Sequence, residues 1–91
     1  MVEGYVLVEV QLGRAAEIAH RFETYDEAIH ADVVTGCYDV LARIRAATVD
    51  ALAEIAERMQ REDGVTRTLL APVSHAEAAA HQGWQPLHAA V

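Results

Sequence analysis

The sequence contains one cysteine, Cys37, and one serine, Ser74. A single cysteine excludes an internal disulfide, so we expect a reducing compartment, the cytoplasm. The serine has the spacing of a helix cap and not the context of a nucleophile. No apolar run approaches the roughly 18 residues that a membrane span requires, and the first residues lack the basic segment of a signal peptide. We therefore predict neither a membrane anchor nor a secretory leader.

Several classes of binding site lack their characteristic residues. The five glycines are isolated from one another, which excludes a glycine-rich phosphate loop, and the five histidines do not have the spacing of a zinc site. We therefore predict no metal and no cofactor. The net charge is −7, and all seven basic residues are scattered arginines, so we expect no direct contact with nucleic acid.

Apolar residues, by contrast, are abundant and make up 53% of the 91 residues. A chain of this length forms one small domain, which buries roughly 60–65% of the surface that its unfolded form exposes. The apolar content exceeds what one small core needs. We therefore expect part of the apolar surface to face a partner.

Residue spacing predicts six elements in the order β-α-β-β-α-β. Apolar alternation favours strands, whereas apolar residues at i, i+3, i+4 and i+7 favour helices. The strands are predicted at residues 5–10, 29–35, 38–45 and 65–73, and the helices at 14–22 and between Thr48 and Gly64. On the helix surfaces, Glu17 with Arg21 and Glu54 with Arg58 have the spacing of ion pairs.

This order of elements predicts a ferredoxin-like α+β fold. Right-handed crossovers place both helices on one face of a four-stranded antiparallel sheet, with the first and third strands in the middle. The ferredoxin-like domain is predicted to span residues 1–73, and residues 74–91 to form a C-terminal tail with a short helix. No helix remains for the other face of the sheet, so we predict a homodimer packed sheet to sheet. The alternative is a monomer whose tail covers that face.

The stretch 33–41 combines a turn with polar groups. Gly36 supplies the turn, and Tyr38 and Asp39 follow at the start of the third strand. A carboxylate beside uncovered backbone N–H groups suits a free amino acid, whose ammonium would face Asp39 and whose carboxylate would face the amides. The alternative is local, with Asp39 accepting N–H bonds around the turn and Tyr38 packing on the sheet. Thr68, on the last strand, could add a hydroxyl.

Three segments together resemble the effector-binding domain, or RAM domain, of the Lrp/AsnC family of regulators. They are Tyr5-Val6-Leu7-Val8-Glu9-Val10, Val34-Thr35-Gly36-x-Tyr38-Asp39 and Asp63-Gly64-Val65-x-x-Thr68-x-Leu70. The resemblance implies a βαββαβ fold, dimers that pack through their sheets in a dimeric α/β barrel-type association, and frequent octamers. It also implies that an amino-acid effector binds between subunits, with Gly36, Tyr38, Asp39 and Thr68 as ligand-binding residues.

No helix-turn-helix precedes the first strand, so the chain is similar to the stand-alone forms, which sense small molecules or assemble with full-length regulators. We accordingly expect a non-catalytic amino-acid-binding module related to transcription regulation, and no enzyme. Two alternatives share this fold class. One is a dimeric enzyme of the cofactor-free monooxygenase type, with a polar internal cavity lined by His20 or His30. The other is an ACT-like module that binds its amino acid near Gly13. A purely architectural oligomer is a third alternative.

Overall fold

The computed structural model describes residues 1–73, and the predicted tail lies outside the described residues. Six elements follow one another in the predicted order. They are β1 (Val2–Val10), α1 (Ala15–Phe22), β2 (Ala28–Val33), β3 (Val40–Ala46), α2 (Val49–Gln60) and β4 (Val65–Pro72). Neither helix of this part of the chain is long and apolar enough to cross a membrane.

The four strands form one antiparallel sheet in the order β2-β3-β1-β4. The central position of β1 and β3 confirms the ferredoxin-like prediction. In the middle of the sheet, Val6 lies opposite Ala42 on β3 and Leu70 on β4. Apolar side chains therefore continue across three strands on the same face of the sheet.

Both helices pack their apolar stripes against that face. The stripe of α1 buries Ile18, Ala19 and Phe22. The second helix begins where the Thr48 hydroxyl accepts the backbone N–H of Ala51 at 3.1 Å, the cap that the sequence predicts. The largest fully buried side chains are Phe22, Ile18, Ile44, Leu52, Met59, Val6, Val8 and Val40. Among residues 1–73, no buried side chain is polar or charged.

The opposite face of the sheet, which we call the open face, displays Tyr5 and Leu7 from β1, Leu41 from β3 and Leu69 from β4. These side chains alternate along their strands with residues of the helix-packed face, which are buried on β1 and β3 and half-buried on β4. Leu69 lies opposite Leu7 and is 52% exposed. The open face therefore carries apolar surface at the centre of the sheet.

The connection between β2 and β3 is longer than the predicted Gly36-Cys37 turn. The third strand begins at Val40 and not at Tyr38, so Tyr38 belongs to an irregular segment, residues 34–39, that we call the 34–39 loop. The N–H of Val34 donates to the carbonyl of Asp39 at 2.9 Å, which closes the base of this loop. Tyr38 therefore does not follow the alternation of side chains between the two faces of the sheet.

Candidate functional site

Gly36 gives the 34–39 loop its bend. Its φ is +121°, in a region that L residues with a side chain rarely adopt. An ideal Cβ at this position would meet no atom within 4 Å. Backbone conformation, and not lack of space, therefore requires glycine here.

Asp39 attaches the loop to the end of β1. Its backbone N–H donates to the carbonyl of Val8 at 2.8 Å, and its Oδ2 accepts the backbone N–H of Val10 at 2.9 Å. The pairing of β1 with β4 shifts register between Glu9 and Val10, and the Asp39 carboxylate bonds the N–H at that irregularity. The carboxylate thus accepts a backbone N–H, but from β1 and not from its own turn.

Tyr38 lies beside an arginine of β4. The guanidinium carbon of Arg67 is 5.5 Å from the centroid of the Tyr38 ring, within the range of a cation–π contact. The Nη2 of Arg67 also donates to Oε2 of Glu9 at 2.7 Å, across the β1–β4 pair. We call Glu9, Tyr38 and Arg67 the loop cluster.

A concavity of about 270 Å³ lies between the 34–39 loop and the open face. It is lined by Leu7, Val34, Thr35, Cys37, Tyr38, Val40 and Leu41. None of these lining residues is charged. Two charged residues lie next to Tyr38: Asp39 follows it in the chain, and the guanidinium of Arg67 lies against its ring. The arrangement therefore suits a ligand with an apolar side chain and a charged head group.

Thr68 lies on the other side of the sheet from the open face. It is opposite Val8 of β1, which is fully buried under the helices, and its hydroxyl donates to Oε1 of Gln60 on α2 at 2.8 Å. The structure therefore brings Gly36, Tyr38 and Asp39 together, and it places the Thr68 hydroxyl against α2.

Arg67 and Glu9 lie beside the site, but the sequence pattern does not identify them as site residues. Each occurs in a segment that resembles the family, yet neither matches a residue of the family's turn. The signal that could have found them is strand register, because Glu9 and Arg67 are directly opposite in the β1–β4 pair. Register depends on the bulge after Glu9, which the sequence does not mark.

A second cleft, of about 500 Å³, lies at the other end of the fold beside the start of α2. Its lining includes Arg58 and Glu27, which form an ion pair at 2.9 Å. That ion pair lowers the pKa of Glu27 and raises that of Arg58, because each charge stabilises the other. Neither this cleft nor the concavity is lined by His20 or His30.

Gly13, the position of the ACT-like alternative, has a φ of +84° and open space around it. The next residue, Arg14, is engaged by Glu17 at 2.9 Å and Asp63 at 3.0 Å. Within residues 1–73, no three His, Cys, Asp or Glu side chains lie where they could hold a metal ion. Cys37 is exposed in the 34–39 loop.

Comparisons with known proteins converge on one family. The model of the Lrp/AsnC ligand binding domain matches residues 3–76. No curated protein sequence matches the chain. The structure of TTHA0845 from Thermus thermophilus is similar at a TM-score of 0.77 and 22% identity, over 82% of this chain and 95% of that one.

Two longer proteins have the same fold over about half of their length. Escherichia coli AsnC is similar at a TM-score of 0.71 and 20% identity, over 79% of this chain and 50% of that one. The transcriptional regulator NMB0573 of Neisseria meningitidis, solved as a complex with L-Met, is similar at a TM-score of 0.69 and 17% identity, over 80% of this chain and 49% of that one. At these identities the likeness shows a shared fold.

Proposed function

This chain belongs to the Lrp/AsnC ligand-binding domain family, and from that premise we propose that it senses a free amino acid with an apolar side chain. The observation that carries the proposal is the uncharged concavity beside the 34–39 loop, together with Asp39, which stands in the chain between two of its lining residues, Tyr38 and Val40. The apolar lining would enclose the side chain of the ligand, and Asp39 would face its ammonium. Gly36 and Tyr38 shape the loop that holds it.

Methionine is the first ligand to test. A regulator of similar fold was solved in complex with L-Met, and an unbranched thioether adapts well to an irregular apolar concavity. The direct contacts that we propose come from Tyr38 and Asp39. Thr68 stays a prediction as a ligand-binding residue, since its hydroxyl is bonded to Gln60 on the helix side.

We propose that two copies of the chain associate through their open faces. Leu69 is half exposed, and Leu7 and Leu41 lie beside it on the same face, which the helices leave uncovered. Association would bury this apolar surface and enclose the concavity, whose lining includes Leu7 and Leu41. We further propose that such dimers assemble into the octamer that the family resemblance implies, or with a full-length regulator of the family.

The charges favour an effector module without direct contact to nucleic acid. Most of the arginines form ion pairs with carboxylates: Arg14, Arg21, Arg43, Arg58 and Arg67. A phosphate backbone would have to compete with those carboxylates for each guanidinium. We propose that the chain acts on transcription through assembly with regulators. Cytoplasmic localisation stays a prediction based on the single cysteine.

We propose a binding role and not a catalytic one. An enzyme of the cofactor-free monooxygenase type needs polar groups in a cavity between helices and sheet, whereas every buried side chain among residues 1–73 is apolar. The ACT-like alternative would place the ligand near Gly13, where Arg14 already contacts two carboxylates. Both alternatives therefore have less support than the 34–39 loop.

The proposal is tested by thermal unfolding of the wild type with each of the twenty common amino acids. We expect methionine or another apolar amino acid to raise the midpoint, and charged amino acids to leave it unchanged. The Asp39→Ala variant should lose this response. The proposal fails if no amino acid stabilises the wild type, or if Asp39→Ala responds as strongly.

A further inference from the structure

A free amino acid carries a carboxylate as well as an ammonium, and the concavity itself provides no cation for that carboxylate. Asp39 can meet only the ammonium. Backbone N–H groups of the loop are one source of compensation, but a guanidinium binds a carboxylate more strongly, because it combines charge with paired N–H donors. The question is therefore which arginine lies next to the loop.

Arg67 is in that position. Its guanidinium lies against the ring of Tyr38, a residue that lines the concavity, at 5.5 Å from the ring centroid. The Arg67 side chain is 61% exposed in the protomer, so the protomer's own fold does not enclose the guanidinium. Its bond to Glu9 joins one nitrogen to one oxygen, although a guanidinium has five N–H donors.

We propose that Arg67 recognises the α-carboxylate of the ligand, and that the ligand replaces Glu9 as its partner. This inference rests on the proposed function. In the structure, the guanidinium bonds Glu9 and lies against the Tyr38 ring, which places it beside the loop. The ligand carboxylate competes with Glu9 for the guanidinium, so Glu9 weakens binding while it positions Arg67. Arg67 thereby determines specificity for acids over amides and alcohols.

The fold contains a matched control for this inference. Arg43 lies over the ring of Tyr5 at the same 5.5 Å, and its Nε donates to Oε1 of Glu3 at 2.9 Å. These three residues, which we call the strand cluster, lie on β1 and β3 and share the open face with the loop cluster. None of them lines the concavity. The same chemistry is therefore present in residues that do not line the concavity.

The experiment compares L-methionine with L-methioninol, which keeps the ammonium and the side chain but has a hydroxymethyl group in place of the carboxylate. Calorimetry gives the ratio of the two affinities for the wild type, Arg67→Met and Arg43→Met. The ratio cancels any effect of a substitution on assembly, since both ligands are measured on the same protein.

We expect the wild type to prefer methionine by about tenfold or more, as a charged hydrogen bond at a partly exposed site allows. Arg67→Met should bring the ratio close to one, and Arg43→Met should retain the wild-type ratio. The inference is overturned if Arg67→Met retains the preference, if Arg43→Met loses it equally, or if the wild type binds both ligands alike. If the wild type binds neither these ligands nor any other amino acid, the proposed function fails and this inference fails with it.

Substitution of Glu9, whose carboxylate would compete with the ligand for Arg67, gives a second and independent measurement of ligand affinity. Glu9→Gln should raise the affinity for methionine by about threefold to tenfold and leave that for methioninol unchanged, because it frees the guanidinium from its ion pair. Glu3→Gln, the matched change in the strand cluster, should leave the ratio of the two affinities unchanged. A purely structural role of the Glu9–Arg67 pair predicts the opposite, a loss of affinity for both ligands in Glu9→Gln.

Discussion

The open face carries two clusters of the same composition, and they differ in where the tyrosine comes from. The strand cluster takes Tyr5 from β1, directly opposite Arg43 on β3. The loop cluster takes Tyr38 from the 34–39 loop, and only Glu9 and Arg67 face each other across strands. Tyr5 is therefore fixed by the backbone hydrogen bonds between β1 and its two neighbouring strands, whereas Tyr38 lies in a loop that contains a glycine.

The same three residue types, Glu, Tyr and Arg, can therefore form a structural cluster in one place and a candidate ligand site in another. On a sheet, an arginine that covers a tyrosine and bonds a glutamate shields the apolar stem and ring from water. At the edge of a concavity, the same three groups present an aromatic wall, a cation and a competing anion. Position, and not composition, distinguishes a structural cluster from a candidate site.

A third cluster lies on the helix side and shows the structural case most clearly. Arg58 lies 4.8 Å from the centroid of the Tyr25 ring and bonds Glu27, while the Tyr25 hydroxyl donates to Glu62 at 2.6 Å. Burial, together with the hydrogen bond to the Glu62 carboxylate, raises the pKa of Tyr25 to about 12. All three tyrosines of the chain therefore pack under an arginine.

The largest expected effect follows from placing a charged side chain on the open face, between the strand cluster and the loop cluster. We expect Leu69→Arg to prevent formation of the proposed dimer, because two copies would oppose desolvated guanidinium groups in one interface. Light scattering measures the mass, and calorimetry should then show methionine affinity reduced by about 100-fold or more. Leu12→Arg, at a fully exposed residue outside the sheet, is the control and should change neither quantity. A monomeric Leu69→Arg that keeps full affinity would contradict a site shared between subunits.

Substitution of Asp39 separates attachment of the loop from recognition of the ligand. Asp39→Ala leaves the N–H of Val10 without its acceptor, so we expect the free energy of unfolding to fall by about 1–3 kcal/mol in urea titrations. Asp39→Asn retains an acceptor oxygen and should cost less than about 1 kcal/mol. Both variants should weaken methionine binding, because both lack the negative charge. Full affinity in Asp39→Asn would show that the carboxylate charge does not meet the ammonium.

Substitution of the two tyrosines compares the clusters directly. We expect Tyr38→Ala to weaken methionine binding by about tenfold, since it removes a wall of the concavity. Tyr5→Ala should weaken it by no more than about threefold, because Tyr5 lies on the open face without lining the concavity. Calorimetry on the two variants checks this, and equal losses in both would remove the distinction between the clusters.

The helix-side cluster gives the smallest expected effect, a pH dependence of stability. The pKa of Tyr25 is about 12 in the folded state and about 10 in the unfolded chain, so its contribution is complete below pH 10 and is lost as pH rises through 12. After solvent screening we expect a loss of about 1 kcal/mol in the free energy of unfolding. Tyr25→Phe lacks the titrating hydroxyl, so its unfolding free energy should fall less over this range. Parallel pH profiles for the two proteins would contradict the assignment.

The sequence predicted the features that depend on local pattern. Strand alternation and helical spacing define the six elements, their faces and the Thr48 cap, and the ion pair of Glu17 with Arg21 forms at 3.1 Å as its spacing predicts. The bend at Gly36 follows equally from one residue, because glycine alone adopts that φ readily.

Features that depend on tertiary placement were missed. Arg58 has the spacing to pair with Glu54, yet it pairs with Glu27, which the turn before β2 brings next to it. The sequence predicts Tyr38 inside the third strand, whereas β3 begins at Val40 and the Tyr38 ring lies against Arg67. Each miss involves a partner about thirty residues away in sequence, which spacing along one element cannot identify.

The central claim is that an amino acid binds at the 34–39 loop and engages the loop cluster. The most direct test is a titration of the isotope-labelled protein with L-methionine, followed by the backbone amide resonances in NMR spectra. We predict that the largest shifts occur at residues 34–41, Glu9 and Arg67, while the amides of Tyr5 and Arg43 move little. Shifts concentrated instead around the cleft lined by Arg45 and Ala51, or around Gly13, would contradict the account.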